Sequence, residues 1–397
     1  MTPDRRTGEL FLNIGHTLDH LFLLIYPTVV LAMAPEFGRP YSEMLPLALG
    51  GFIAFGAGSL PAGWIADRWS RRGMMIVFFT GIGAASILTG LCQAPWQIAV
   101  ALTLLGLFGA IYHPVGIAML VSGRDKVGKV LGVNGVWGNL GLAFAALIAG
   151  ALAHWINWRA AFIVPGLVSI AVGIVFAMLV PDVKFAGKRA STANPVGFPR
   201  GLLVRVFAIL TVTIAFGGIV FNSTTIAMPK VFDERLSELA STTLGIGILV
   251  SLVYAFAAVA QLVVGYFLDR GSIKPVLMSV VGFQVPLLIA AAFFDNYLML
   301  GAALGMMFFI FGQVPINDAM VAAYTDEAWR SRAFAVRYVV SFGASAFAVP
   351  LVALMHRYSS DFKYLFFALA AMAAVMFTAA TLMPTGAASR QPSAASP

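Results

Sequence analysis

The fold class the sequence predicts is an all-helical integral membrane protein with twelve transmembrane helices in two parallel six-helix repeats. Three observations predict it. The chain is 60% hydrophobic and only 11% charged, whereas a soluble domain is about half apolar and about a quarter charged. Its apolar residues fall into twelve blocks, most of them near the ~20 residues that carry a helix across a bilayer. Landmarks in the second half also repeat those of the first at a constant distance of 202 residues.

The blocks define α1 (11–33), α2 (43–66), α3 (74–92), α4 (97–121), α5 (129–153), α6 (160–180), α7 (204–229), α8 (241–268), α9 (275–294), α10 (297–323), α11 (331–355) and α12 (362–383). The first block starts behind Asp4, Arg5 and Arg6 and is spotted with polar residues. It has no small-residue cleavage site, so it reads as a spanning helix and not as a signal peptide. The stretch 182–203 is basic, holds two prolines and sits at the midpoint of the chain. It reads as a linker between an N-terminal half, 1–181, and a C-terminal half, 204–383. The tail 384–397, rich in Ala, Ser and Pro, is expected to be disordered.

The halves align without a gap from Pro27 and Pro229 to Gly63 and Gly265, and on to Asp67 and Asp269 and to Arg68 and Arg270. Six helices is an even number, so the repeats run parallel, with a substrate site expected between the halves. The net charge of +8 follows the same topology. With both termini cytoplasmic, eighteen Lys/Arg lie in cytoplasmic segments and six on the opposite side, leaving Arg337 inside a helix. That is the positive-inside bias, so the basic balance does not imply a nucleic-acid surface. The single cysteine, Cys92, excludes an intrachain disulfide and a Cys-based metal cluster. There is no nucleophile elbow, Walker loop or His-Glu-x-x-His motif, and an enzyme is not expected.

Ionisable groups in mid-membrane cost several kcal/mol, ~2.5–3.5 at a helix centre, and are functional candidates by default. In α1, Asn13, His16 and His20 form one polar stripe with Asp19 beside it. A desolvated carboxylate or an Asp–His pair there could load and release a proton, which makes Asp19, His16 and His20 proton-coupling candidates. The two histidines and Asp19 have a spacing that metal ligands use, but nothing else acidic lines up, so no metal or cofactor is expected. In α4, Tyr112 and His113 precede Pro114, which frees a backbone carbonyl and kinks the helix. At the matching place α10 carries Asn317 and Asp318. Asp318 is a further proton-coupling candidate and the expected ion-pair partner of Arg337 in α11. In α5, Gly128, Gly132, Gly135, Gly138 and Gly141 form a close-packing face, with Asn134 and Asn139 as cavity candidates. Asn222 of α7 occupies the repeat position of His20. The substrate-binding candidates are therefore Asn13, His20, Tyr112, His113, Asn134, Asn139, Asn222, Asn317 and Arg337.

The loop after α2 reads Gly63-x-x-x-Asp67-Arg68-x-x-Arg71-Arg72, and α8 ends with Gly265, Asp269 and Arg270, followed by Lys274. Asp67 sits where α2 leaves the membrane and α11 begins on the same face, where a helix N-terminus favours a carboxylate. The glycine one turn back lets a neighbouring helix approach. Gly63, Asp67, Arg68, Arg71, Arg72, Gly265, Asp269 and Arg270 are the expected gating residues, although positive-inside anchoring alone could also account for their charges. With twelve helices in six plus six, this loop resembles the major facilitator superfamily over the whole chain, as does Trp158-Arg159 opening α6. The resemblance implies that the loop latches the cytoplasmic side while the outer side is open. Three fragments resemble the fosmidomycin-resistance branch of exporters: His16-x-x-Asp19 ahead of Ile25-Tyr26-Pro27, Tyr112-His113-Pro114, and Gly138-Asn139-Leu140-Gly141. The expectation is a proton-coupled secondary transporter of a small molecule, monomeric, in a bacterial inner membrane, with efflux implied by that branch. Import, or a sensor that does not transport, stays open.

Overall fold

The computed structural model describes residues 3–122, 128–182, 199–325, 327–359 and 361–384. They form helices joined by short turns, in the expected order. The helices are α1 (Pro3–Glu36), α2 (Tyr41–Arg68), α3 (Arg71–Leu91), α4 (Pro95–Val121), α5 (Gly128–Trp155) and α6 (Ala160–Leu179), then α7 (Arg200–Arg235), α8 (Thr243–Arg270), α9 (Ile273–Ala291), α10 (Asn296–Tyr324), α11 (Glu327–Tyr358) and α12 (Lys363–Thr381). Among the described residues, eleven are long and apolar enough to cross a membrane. The remaining one, α11, has 32 residues. Most of the linker stretch, 183–198, and the tail from 385 lie outside the described residues. Helix α7 starts at Arg200, inside the segment read as linker. Several helices outrun their apolar blocks because charged ends such as Arg235 and Arg270 continue the hydrogen-bonded turn beyond the hydrophobic stretch.

Pairing follows the repeat. Helix α3 lies along α6 and also packs on α4, while α9 lies along α12 and also packs on α10. Glycines set these approaches. A Cβ built on Gly83 of α3 would stand 2.6 Å from the Gly166 carbonyl of α6, and one on Gly166 would stand 2.7 Å from the Gly83 carbonyl. Reciprocal small residues let two backbones touch where any side chain would force them apart.

Two compact units emerge. The first is Met1–Lys188 with Thr225–Ala255 and Ser345–Asp361; the second is Arg189–Thr224 with Phe256–Ala344 and Phe362–Pro397. Within the first unit, the start of α8 lies close against α5, and the Ser251 hydroxyl donates to the Ala143 carbonyl. On the face away from the termini, His356 contacts Glu234 at 2.9 Å and Lys230 bonds Asp233 at 2.6 Å. There Glu36, at the end of α1, accepts from the Trp158 indole at 2.6 Å and pairs with Arg159 at 2.8 Å. The Trp158-Arg159 pair thus anchors α1 to α6.

Candidate functional site

The site in the first unit is assembled where α1 crosses α5. A Cβ on Gly141 would strike the Thr17 carbonyl of α1, and one on Gly138 would stand 2.7 Å from the His16 ring. Gly138 and Gly141 therefore admit one imidazole and the α1 backbone, whereas Gly132 and Gly135, expected on the same close-packing face, face open space: a Cβ there would meet nothing within 4 Å. Polar groups then pair across the seam. The Thr17 hydroxyl donates to the Trp137 carbonyl at 2.7 Å, and the Asn134 amide donates to Asn13 Oδ1 at 2.9 Å and to the Tyr112 hydroxyl at 2.9 Å. The Tyr112 hydroxyl donates in turn to the Leu12 carbonyl at 2.8 Å. His16 Nδ1 lies 2.8 Å from the Asn134 carbonyl. A carbonyl only accepts, so this bond puts the proton on Nδ1 and leaves a lone pair on Nε2. The ring is stacked on Tyr112, with centroids 4.9 Å apart and planes at 20°.

Helix α4 supplies the third imidazole. Pro114 cannot donate a backbone hydrogen bond, and the turn Tyr112–Gly116 is a π-helix inside the α-helical run. One extra residue in a turn is a common device at functional sites. It places His113 against α1, where its ring centroid is 5.3 Å from His16 and 5.6 Å from His20. His16 Nε2 is 3.2 Å from His20 Nε2. One ring nitrogen from each of the three histidines lies within 4.8 Å of the other two. Asp19 is fully buried, and its Oδ2 is 3.4 Å from His113 Nε2. The sequence put two histidines in the turn of Asp19, but the imidazole against its carboxylate comes from α4. Gly109 leaves Asp19 its room: a Cβ there would stand 3.3 Å from Oδ1. Neither carboxylate oxygen has a hydrogen-bond donor, and His20 Nδ1 is also buried without a hydrogen-bond partner.

Thus Asn13, His16, Asp19, His20, Tyr112, His113 and Asn134 come together. Asn139 sits half-buried on α5. In the second unit, the Asn222 amide donates to the Gly218 carbonyl of its own helix at 2.8 Å. Buried Asn317 accepts from the Thr213 hydroxyl at 3.3 Å. Asp318 follows it half-buried on α10. The Arg337 side chain, and with it the expected pair with Asp318, lies outside the described residues. A network that the sequence reading missed joins α7, α9 and α10. Gln313 donates to the Thr213 carbonyl at 2.9 Å and accepts from the Gln284 amide at 3.0 Å, and Gln284 also reaches the Phe309 carbonyl at 3.2 Å. Its signal was available: Gln-Val-Pro occurs twice, at 284–286 and 313–315, each time inside an apolar span.

At the basic loop, Arg71 donates to Asp67 at 2.8 Å and Arg68 lies 3.9 Å over the Trp64 ring. Gly63 gives α4 its approach, since a Cβ there would stand 3.3 Å from Pro114 Cβ; at Gly265 such an atom would meet nothing within 4 Å. Ser70 caps α3 by accepting from the Gly73 amide at 2.9 Å and donates to Asp182 at 3.1 Å. Arg72 donates to the Val180 and Ala177 carbonyls at the end of α6. Lys274, its repeat mate, donates to the Thr381 carbonyl at the end of α12 at 2.8 Å. Cations at a helix C-terminus satisfy free carbonyls and oppose the helix dipole. In the second copy Arg270 lies 3.6 Å over the Tyr266 ring, and Asp269 is exposed.

The Major Facilitator Superfamily profile matches residues 16–245 and 235–397. The chain is 31% identical over 123 residues to a Na(+), Li(+), K(+)/H(+) antiporter of Planococcus maritimus, covering 30% of this chain and 27% of that protein. It is 27% identical over 252 residues to the multidrug resistance protein MdtG of Escherichia fergusonii, covering 60% and 59%. The matches therefore span from about a quarter to about three-fifths of these relatives. A bacterial homologue of the human lysosomal transporter Spinster, solved in an inward-facing and unoccupied conformation, superposes with a TM-score of 0.76 at 14% identity, covering 96% of this chain and 95% of that one. The nucleoside transporter NupG superposes with a TM-score of 0.73 at 14% identity, covering 95% and 99%.

Proposed function

Because the chain belongs to the major facilitator superfamily, we propose that it is a proton-coupled secondary transporter that exports a small molecule by alternating access. One observation carries this reading: a fully buried carboxylate, Asp19, lies deep in an apolar helix beside three imidazoles. Ionisable groups at such a depth are retained where they act on cargo or protons. Asp19 is the coupling group, with the His113 imidazole beside it. Asn13, Tyr112 and Asn134 frame the cargo site in the first half. Export and proton exchange draw support from relatives named as multidrug resistance proteins and as a cation/H(+) antiporter.

The charge bias of the loops supports an orientation with both termini cytoplasmic, and the membrane in this reading is a bacterial inner membrane. The division into halves at 182–203 then makes the two six-helix bundles the moving parts of a monomer. The contact of α5 with α8, which joins the two halves, lies toward the outer face in this orientation and must part for opening to that side. The Asp67–Arg71 loop on the cytoplasmic face is the latch for the opposite closure.

The test is Asp19→Asn, which mimics the protonated carboxyl and cannot release a proton. Counterflow and pH-driven accumulation are measured in the same proteoliposomes. The variant is expected to keep exchange of cargo and lose accumulation against a gradient. Retained pH-driven accumulation would remove Asp19 from the coupling role and pass it to Asp318.

A further inference from the structure

We propose that His16, His20, His113 and Asp19 form a binding site for a divalent transition-metal ion, and that such an ion, free or at the centre of a small chelate, is the cargo. The second clause rests on the transporter reading above; the binding site does not.

The donor set and its geometry point to a metal. A tetrahedral ion with bonds of ~2.0–2.1 Å to imidazole nitrogens sets those nitrogens about 3.4 Å apart. His16 Nε2 and His20 Nε2 already stand at 3.2 Å. All three histidines offer a nitrogen within a 4.8 Å circle, so small ring rotations close the set. Asp19 stands beside the three imidazoles, 3.4 Å from His113, and its carboxylate offsets one of the two positive charges of the ion.

The surroundings of His16 are those of a ligand held in place. Its Nδ1 is bonded to the Asn134 carbonyl, the arrangement that fixes the tautomer and orients Nε2 in metal-bound histidines. Tyr112 covers one side of the ring, and Gly138 leaves the space that the ring fills on the α5 side.

Polar bookkeeping agrees. Both Asp19 oxygens and His20 Nδ1 are buried without a hydrogen-bond partner. Leaving such groups unsatisfied costs ~1–3 kcal/mol each, and a bound cation would satisfy the carboxylate directly. Three imidazoles select zinc, cobalt, nickel or copper over magnesium and calcium, which take oxygen ligands. Half-buried His20 and His113 leave the cluster an open edge through which an ion can enter.

Cobalt(II) is the probe, because a tetrahedral site gives it intense visible absorption. The protein is purified without a polyhistidine tag and titrated in detergent. One ion per chain is expected, displaced by zinc, with affinity falling about 10-fold or more in each of His16→Ala, His20→Ala and His113→Ala. His154→Ala, at an exposed position outside the cluster, should bind like the parent. Melting curves without metal identify any variant that has lost its fold, and His113→Gln then takes the place of a failed alanine. Absence of the bands, or equal affinity in the triple-histidine variant, overturns the site. Zinc movement into proteoliposomes loaded with a fluorescent chelator tests the cargo. Binding without pH-driven movement overturns the cargo claim, and pH-driven accumulation of another solute without cobalt binding overturns the metal site while leaving the transporter reading standing.

Discussion

Gly141→Ala puts one methyl group where α1 and α5 touch. The new carbon would stand 3.0 Å from both the carbonyl carbon and the Cα of Thr17, and closer still to its oxygen. Carbon–carbon contacts settle at ~3.5–4.0 Å, so the helices must part by about 0.5–1 Å. No rotamer can relieve the clash, because the atoms struck are backbone. The parting stretches three bonds across the same seam: Thr17 to Trp137 at 2.7 Å, His16 to Asn134 at 2.8 Å and Asn134 to Asn13 at 2.9 Å. Each contributes ~0.5–1.5 kcal/mol net, so the expected loss is ~2–4 kcal/mol, with the imidazole cluster displaced as well. The control lies on the same helix. At Gly132 and Gly135 a Cβ would meet nothing within 4 Å, and alanine there should be neutral or stabilising by up to ~1 kcal/mol through helix propensity. Thermal unfolding in detergent, followed by transport in proteoliposomes, compares the three variants. If Gly141→Ala melts with Gly135→Ala and transports equally, the seam is not tight and the account of α5 is wrong.

Two further outcomes are expected. Ser70→Ala removes both the α3 cap and the bond to Asp182; it should lower stability by ~1 kcal/mol, and Ser70→Asn should restore part of the melting temperature, with no restoration counting against the cap. Gln313→Leu leaves the Thr213 carbonyl and the Gln284 amide short of a partner. It should cost ~1–3 kcal/mol, and the double change Gln284→Met with Gln313→Leu should melt higher than Gln313→Leu alone; equal melting temperatures would mean that the network contributes nothing as a unit.

The fold was legible because a bilayer imposes a length and an apolar composition on every spanning helix. Duplication wrote the same landmarks twice, as at Asp67 and Asp269. The stripe on α1 was legible too, since helical spacing alone puts His16 one turn from His20. That His113 would join them was not. Its placement depends on a π turn, and a single extra residue leaves no trace in apolar periodicity. The Gln-Val-Pro network went unread for a different reason. Glutamine carries no charge, so a search for costly ionisable groups passed over two amides whose burial still demands partners. The double use of the basic loop was equally hidden, because the carbonyls that Arg72 and Lys274 cap lie more than a hundred residues away.

The π turn at Tyr112–Gly116 has a consequence for how α4 keeps count. A helix that holds one residue too many can release it by rewinding, and each residue taken up rotates the remainder of the helix by ~100° about its axis. Such a step would swing His113 away from His16 and His20, and three imidazoles would become two. On this hypothesis α4 has two registers, and the side chain at 113 reports which is occupied. Spin labels at Thr17 and Leu120, on α1 and just beyond the turn, would show two distances if both registers are populated and a single sharp one if the turn never rewinds.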